Sequence, residues 1–347
     1  MRNRAKYKAV AALFLAGGLV AGCGGWGGGA DDERLTIYTA REQNISDRVV
    51  KEFTAANPQY SGKINLINIG ASEILERVRA EKANPRGDVW WGGTKQELQQ
   101  ASDASLLAPW QPGFAAQIPA EHKDQAGKWY GEIQLPEVIM TNTKAVKPDQ
   151  APKDWDDLLA PQWKDKIIIR DVPASGTMRT IYNAMIYRAA KGGADPKPGF
   201  DWLCKLDAST KRYAANPSDL YLRMSREEGV LSLWNLQDVL IQQNQEKMPF
   251  GVVIPSSGVP VLTDGVGVIQ GGPNSEGAKK FLEFIYSDKI RAELAKDFYQ
   301  IPTVPLKDKP EWLAKLDIKP MKLDWDQIQK NDQQWISHWN DRIKGRC

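Results

Sequence analysis

The chain has 347 residues, a formal net charge of +3 and 42% hydrophobic residues. Four of its cations, Arg2, Arg4, Lys6 and Lys8, lie near the amino terminus, and without these four the charge of +3 becomes −1. The rest of the chain therefore has no excess of positive charge that would attract nucleic acid. A chain of this length is expected to form about two domains and to bury a sizeable core without disulfides or metals.

The first residues have the layout of a bacterial secretory signal. The basic start is followed by an apolar run from Ala9 to Val20, which is shorter than the roughly 20 residues that span a bilayer. Its ending, Leu19-Val20-Ala21-Gly22-Cys23, resembles a lipobox. We therefore expect a signal peptide at residues 1–22, acylation of Cys23 and a Gly-rich tether at 23–33. The protein would be exported and anchored to a membrane by lipid, in the periplasm or at the cell surface.

From Arg34 the pattern alternates between strand and helix. Strands are predicted at residues 35–38, 64–69 and 88–91, the last one broken by Gly92-Gly93. The first helix ends at Asn57-Pro58, and Ser72 is expected to cap the second. The inward positions of the two helices are Ile45, Val49, Phe53, Ile74, Leu75 and Val78.

A second unit of the same kind begins near Val138. Strands are predicted at residues 167–169, 230–234 and 250–254. Helices are expected after the loop 171–177, where Met178, Ile181, Met185 and Ile186 share a face, and from Asn235 to about Glu246.

The first pattern returns after Pro255, with a strand at residues 265–269 and a helix at 278–285. A last helix from about Asp324 to Ile343 carries an apolar stripe of Ile328, Trp335, Trp339 and Ile343. Strands that alternate with helices over short links favour an α/β fold with mostly parallel sheets flanked by helices.

Ligands of such sheets bind beyond the carboxyl ends of the strands. In the first unit those ends carry the candidate residues Thr39, Ala40, Arg41, Ser72, Gly92, Gly93 and Thr94. Arg41 has the planar guanidinium that pairs with a phosphate through two hydrogen bonds, and a solvated surface position is the alternative. Trp91 either packs on a ligand or belongs to the core.

Several segments, in this order, resemble extracellular solute-binding proteins of bacterial ABC importers, in the branch that binds ferric iron, phosphonates and sugar phosphates. They are the lipobox, Ile37-Tyr38-Thr39-Ala40, Asp88-Val89-Trp90-Trp91-Gly92-Gly93-Thr94, Pro173-Ala174-Ser175-Gly176-Thr177, residues 264–269 and residues 278–285. The resemblance implies the two-lobed type II periplasmic binding fold, in which two lobes close on a solute between them. Lobe one would be residues 31–137 plus 258–347 and lobe two residues 138–257, with crossings near Glu137–Asn142 and Val253–Ser257.

Anion capture is the chemistry we expect in the cleft. Ser175, Gly176 and Thr177 open a helix, whose free N–H groups and dipole favour an anion, and an ordinary helix cap is the alternative. Asn235 and Asp238 are either ligands for a polar or amine-bearing solute or a reciprocal helix cap. Ferric-binding relatives carry a tyrosine pair after the strand that matches 230–234, where this chain has Trp234-Asn235-Leu236-Gln237-Asp238. Direct binding of iron is therefore not expected.

The predicted function is capture of a small anionic solute, a phosphonate or a phosphate ester, for delivery to the ABC permease of the inner membrane, by a monomer without cofactor or metal. The alternatives are ferric iron held through an anion or chelate, and a polyamine or other small polar solute. A hydrolase is disfavoured because the two histidines, His122 and His338, lie in no catalytic motif, and a sensory or structural lipoprotein is the remaining class. Cys204 and Cys347 form a disulfide only if the fold brings them together.

Overall fold

A computed structural model of the protein describes residues 34–347. The expected signal peptide, Cys23 and the tether lie outside the described residues. Within the described part, no helix has the length and apolar character needed to cross a membrane.

Helices and strands alternate along the described chain, as the pattern predicted. The helices are α1 Gln43–Ala56, α2 Ala71–Ala80, α3 Lys95–Asp103, α4 Gly176–Ala189, α5 Lys197–Ser209, α6 Pro217–Ser225, α7 Leu236–Asn244, α8 Ser275–Ile285, α9 Asp288–Phe298, α10 Glu311–Ala314 and α11 Trp325–Arg342. The strands are β1 Leu35–Thr39, β2 Ile64–Asn68, β3 Val89–Thr94, β4 Leu107–Ala108, β5 Trp129–Asn142, β6 Ile167–Arg170, β7 Thr210–Ala214, β8 Leu231–Asn235, β9 Phe250–Val253, β10 Val261–Ile269 and β11 Ile301–Pro302.

The strands follow the order β2-β1-β3-β10-β5-β8-β6-β7. At one end β1, β2 and β3 are parallel, and at the other end β6, β7 and β8 are parallel. Between them β10 and β5 run antiparallel to their neighbours. The expected α/β class is therefore confirmed, and each group of parallel strands directs its carboxyl ends, with the following helix starts, toward one edge.

The 14-residue strand β5 belongs to both parts of the sheet. It pairs with β10 as far as Pro136, and from Glu137 onward it pairs with β8 and β9. One continuous strand thus connects the β1–β3 group to the β6–β8 group, and the segment from β9 to β10 returns beside it.

Buried apolar side chains form two large cores and smaller clusters. One large core contains Phe53, Trp91 and Phe281, and the other contains Ile168, Met185 and Leu233. The predicted stripe of the last helix, Ile328, Trp335, Trp339 and Ile343, is buried as expected, but it lies in the second large core. This position differs from the expected assignment of residues 258–347 to lobe one, because Trp339 of α11 packs on Tyr182 and Tyr213.

A disulfide between Cys204 and Cys347 holds the end of the chain against α5. The two residues are 143 positions apart, and their Cα atoms are 5.5 Å apart. The sequence left this pairing open. Packing of α11 on the second large core explains why the two sulfurs meet.

Two local predictions were wrong. Ser72 does not cap α2: Gly70 is the N-cap residue, and the Ser72 hydroxyl donates to Glu97 instead. Gly92-Gly93 do not end the third strand, which continues to Thr94. Gly92 has a φ of +90° and lies at a shift in register between β3 and β10, so it forms a bulge that few other residues could adopt.

Candidate functional site

A cavity of about 320 Å³ lies between α2 and α3 on one side and α4 and α11 on the other. Three residues singled out in the sequence, Ser72, Thr94 and Gly176, line it. It therefore opens between carboxyl-end loops of the two parallel groups, the position expected for a ligand in this kind of fold.

The two sides touch at Thr94 and Gly176. A Cβ placed on Gly176 would lie 3.0 Å from the Thr94 Cγ2 atom. A side chain at this position would therefore require the Thr94 methyl group to shift by a few tenths of an ångström, so glycine favours this close approach of α4 to α3.

The start of α4 presents unpaired N–H groups. Ser175 is the N-cap residue, and its hydroxyl oxygen accepts a hydrogen bond from the N–H of Met178 at 3.2 Å, as the cap alternative predicted. Among residues 34–347, the backbone N–H groups of Gly176 and Thr177 have no hydrogen-bond partner. A helix of 14 residues thus offers two free donors and the positive end of its dipole.

On the opposite side the hydroxyl groups are already bonded to a carboxylate. Thr94 caps α3 and donates to Glu97 Oε2 at 2.9 Å, while Ser72 donates to Glu97 Oε1 at 2.6 Å. Glu97 is buried and also accepts from the N–H of Thr94. The hydroxyl groups of Ser72 and Thr94 therefore shape the wall and are not free for an anion, whereas the start of α4 keeps two backbone donors free beside Thr94.

On the side formed by α4 and α11, a charged contact joins the two helices. Arg179 on α4 forms an ion pair with Asp332 on α11, and Asn183 donates to the same carboxylate at 2.6 Å. Because Arg179 and Asn183 of α4 both bond the Asp332 carboxylate, these contacts hold α11 beside α4.

Arg41 lies in the core and not at the surface. Its guanidinium is 2.6 Å from Glu132 and 2.7 Å from Asp264, and both are buried partners. Burial alone would lower the pKa of Arg41, but Asp264 and Glu132 raise it above its usual value. The structure thus pairs this guanidinium with two carboxylates, which differs from both alternatives considered for it.

The other residues at the end of β1 also have internal partners. The Thr39 hydroxyl accepts from the N–H of Arg41 at 3.1 Å, and the N–H of Ala40 donates to the carbonyl of Trp91. Trp91 is fully buried, and its indole N–H donates to Glu132 at 2.8 Å. Trp91 therefore belongs to the core, one of the two alternatives open from the sequence.

Asn235 caps α7, as the cap alternative predicted, but the cap is not reciprocal because Asp238 bonds the side-chain amide of Asn235 and not its backbone N–H. Asn235 accepts from the N–H of Asp238 at 2.8 Å, and its amide donates to the Asp238 carboxylate at 2.8 Å. Trp234 and Tyr221 also donate to that carboxylate, at 3.1 Å and 3.4 Å. Burial raises the pKa of Asp238 in spite of these donors.

Two carboxyl groups that the sequence analysis missed interact electrostatically with Asp238. Glu42, the N-cap residue of α1, has its pKa raised to about 8, first by the charge of Asp238 and then by burial. Glu137 on β5 is fully buried, and burial followed by the charge of Asp238 raises its pKa well above the usual value. The position of Glu42 directly after Arg41 was a usable signal, whereas nothing in the local sequence marks Glu137.

The family model for bacterial extracellular solute-binding proteins matches residues 93–331 of the chain. The chain belongs to this family. The confirmed resemblance includes ABC-importer binding proteins whose names specify iron, phosphonate or sugar phosphate.

Individual relatives cover most of this solute-binding protein. A probable ABC transporter periplasmic-binding protein y4fP of Sinorhizobium fredii is 26% identical over 310 residues, 88% of this chain and 85% of the relative. Iron uptake protein A1 of Synechocystis is 27% identical over 285 residues, 79% of this chain and 77% of the relative.

The fold matches a solved structure of the same kind. The periplasmic binding protein AfuA from Actinobacillus pleuropneumoniae, with exogenous fructose-6-phosphate bound, has a TM-score of 0.78 at 24% identity and covers 90% of this chain and 98% of its own. Both parts of the sheet and the cavity region therefore lie within the extent of the shared two-lobed fold.

Proposed function

We propose that this solute-binding protein captures a small anionic solute, a phosphonate or a phosphate ester, at the start of α4. The observation that carries the proposal is the pair of unpartnered N–H groups at Gly176 and Thr177, next to the contact with Thr94. Backbone donors at a helix start bind an anionic oxygen without a neutralising side chain. Closing of α3 against α4 would then exclude water from the bound group.

Native mass spectrometry of the purified protein, followed by calorimetry with methylphosphonate and glycerol phosphate, tests this proposal. Thr177→Ala distinguishes a hydroxyl contact from a backbone contact: loss of one charge-assisted hydrogen bond costs about 1.5–3 kcal/mol, or about one to two decades of affinity. Because Ser175 and not Thr177 caps α4, Thr177→Ala tests the hydroxyl contact without a loss of helix capping. Absence of binding by every phosphonate and phosphate ester, with the melting temperature of the folded protein intact, would refute anion capture.

The protein would act as a binder and not as an enzyme, delivering its solute as a monomer to ABC permease subunits in the membrane. Lipid on Cys23 would keep it at the membrane surface. Cys23→Ser should release it into the soluble fraction, and a variant that remains membrane-bound and acylated would contradict this part of the proposal. An unchanged solute after incubation, monitored by phosphorus NMR, would agree with binding, whereas a converted product would indicate catalysis.

Ferric iron held together with an anion is the second candidate. Relatives named as iron uptake proteins favour it, and the carboxylates of Glu42 and Asp238 are oxygen ligands of the hard type that ferric iron prefers. Titration with ferric citrate in the presence and absence of phosphate separates the two candidates. Retained iron at a stoichiometry of one, lost when phosphate is removed, would support this second function.

A further inference from the structure

The walls of the cavity between α3 and α4 carry more negative than positive charge. Three carboxylates line it, those of Glu76, Glu97 and Asp332, and Arg179 is the one cation among the described residues of its lining. Arg179 is paired with Asp332, and Glu76 is paired with Arg79, which lies outside the lining. The two ion pairs cancel, so the buried carboxylate of Glu97 leaves the walls with a negative charge and without a free cation.

The donors at the start of α4 are also neutral. They are the backbone N–H groups of Gly176 and Thr177, beside Thr94 and close to the Glu97 carboxylate that Thr94 bonds. A phosphate monoester has three acceptor oxygens and a charge of about −1.5 to −2 at pH 7, because its second pKa is about 6. A phosphodiester keeps a single charge on its two free oxygens. Two neutral donors near a carboxylate therefore favour the singly charged ester over the doubly charged one.

Acceptors without partners lie on both sides of the same cavity. Asn183, about two turns after Gly176 on α4, lines the cavity and is 3% exposed. Its amide nitrogen donates to Asp332 at 2.6 Å, and because a carboxylate only accepts, the nitrogen has to face Asp332. The remaining Oδ1 atom has no hydrogen-bond partner among residues 34–347.

Gln96, in the first turn of α3, supplies the second of these acceptors. It lines the cavity, and its buried Oε1 atom also lacks a partner in the described part of the chain. Buried acceptors without donors are costly, and hydroxyl groups of a solute satisfy them without adding charge. The cavity volume of about 320 Å³ is near the lower limit of roughly 300 Å³ for ligand pockets, so the alcohol parts that carry these hydroxyl groups must be small.

We propose that the solute is a singly charged phosphodiester of small hydroxylated alcohols and not a doubly charged phosphate monoester. Its two free phosphate oxygens accept from the N–H groups of Gly176 and Thr177, and its hydroxyl groups donate to Asn183 and Gln96. This inference rests on the proposed function, because it places the anion at the start of α4. It goes further by assigning the charge of the solute and the chemistry of its alcohol parts.

Calorimetry of the wild-type protein with three esters at about pH 7.5 tests the inference. Glycerophosphoglycerol is a diester with hydroxyl groups, glycerol 3-phosphate is the corresponding monoester, and diethyl phosphate is a diester without hydroxyl groups. We expect glycerophosphoglycerol to bind at least about tenfold more tightly than glycerol 3-phosphate, the effect of one further charge near Glu97. It should bind about three- to tenfold more tightly than diethyl phosphate, the effect of one hydroxyl hydrogen bond.

A change of pH separates the charge of the ester from its shape. Between about pH 7.5 and pH 5, most of the glycerol 3-phosphate takes up a proton and becomes singly charged, since its second pKa is about 6. Its affinity relative to that of glycerophosphoglycerol should therefore rise about tenfold. The diester keeps its charge over this range, so the ratio of the two affinities corrects for any titration of the protein.

Two variants test the groups on the walls, each with a matched control. Asp332→Asn removes one negative charge and should reduce the preference for glycerophosphoglycerol over glycerol 3-phosphate to less than about threefold, whereas Asp326→Asn, on the exposed first turn of α11 and outside the lining, should keep it. Asn183→Leu should weaken glycerophosphoglycerol about three- to tenfold and leave diethyl phosphate unchanged. Asn340→Leu, at an exposed asparagine whose amide also donates to an aspartate, should alter neither.

The outcomes distinguish this inference from the proposed function. If glycerol 3-phosphate binds as tightly as glycerophosphoglycerol at about pH 7.5, or if the ratio of their affinities does not change with pH, the diester is overturned and anion capture stands. Equal binding of glycerophosphoglycerol and diethyl phosphate would overturn the hydroxyl contacts. Absence of binding by all three esters and by methylphosphonate would overturn anion capture itself, and the diester with it.

Discussion

Replacement of Gly176 by alanine tests whether the close contact between α3 and α4 is needed for binding. The new Cβ would meet the Thr94 methyl carbon at 3.0 Å, which is shorter than the roughly 3.5–4.0 Å optimum for two carbon atoms. The two sides must therefore move apart by about 0.5 Å or more in the bound protein. Gly176→Val adds two further methyl groups and makes the conflict larger.

The expected loss of affinity follows from the donors at the start of α4. If the shift breaks one of the two charge-assisted hydrogen bonds from Gly176 and Thr177, the cost is about 1.5–3 kcal/mol, and affinity for the anion falls by about one to two decades. Calorimetry with the best-binding phosphonate or phosphate ester measures the loss. Melting temperatures without ligand should change little, because alanine is favoured over glycine in a helix.

A second substitution tests the contribution of one methyl group, the Cγ2 atom of Thr94. Thr94→Ser removes the Cγ2 atom but keeps the hydroxyl that caps α3 and bonds Glu97. The double variant Gly176→Ala with Thr94→Ser should recover most of the lost affinity, whereas Gly113→Ala, at a glycine with no atom closer than 3.9 Å to a new Cβ, should not alter binding. Unchanged affinity in Gly176→Ala, or no recovery in the double variant, would refute the role of this contact.

Three further predictions concern stability. The charge of Asp238, burial and Glu246 raise the pKa of Glu42 to about 8, so the folded state holds a proton on this carboxyl group. The free energy of unfolding should therefore fall as the pH rises from about 4.5 to 8, and it should level off above pH 8. Glu42→Gln should flatten this fall in denaturant titrations, and an unaltered pH dependence would contradict the raised pKa of Glu42. Cys204→Ser removes a disulfide that spans 143 residues and should lower the free energy of unfolding by about 2–5 kcal/mol. A reducing agent should lower the free energy of unfolding of the wild type by the same amount and should leave that of the variant unchanged. Asp332→Ala leaves Arg179 without its partner on α11 and should lower the melting temperature, at a cost of about 1–3 kcal/mol, whereas Asp326→Ala on the exposed first turn of α11 should not.

The sequence contained enough local information to predict most elements and the family. Apolar residues at helical spacing in α1, α4, α8 and α11 became buried faces, because amphipathic periodicity fixes which side of a helix can leave water. The lipobox, the order of the segments and the Gly176 loop indicate a solute-binding protein without any tertiary contact. The cap of α4 at Ser175 could also be predicted, since capping depends on neighbours within four residues.

Tertiary structure alone decided which of the candidate side chains keep free hydrogen-bond donors. Arg41, Thr94 and Ser72 lost their free donors to Glu132, Asp264 and Glu97, carboxylates that are distant in the sequence or belong to another element. Burial of Glu137, the docking of α11 on the second large core and the meeting of the two cysteines depend on strand order and on long-range packing. Local sequence fixes backbone hydrogen bonds over a few residues, but the charge and burial of a side chain are set by groups that only the folded chain brings within a few ångströms.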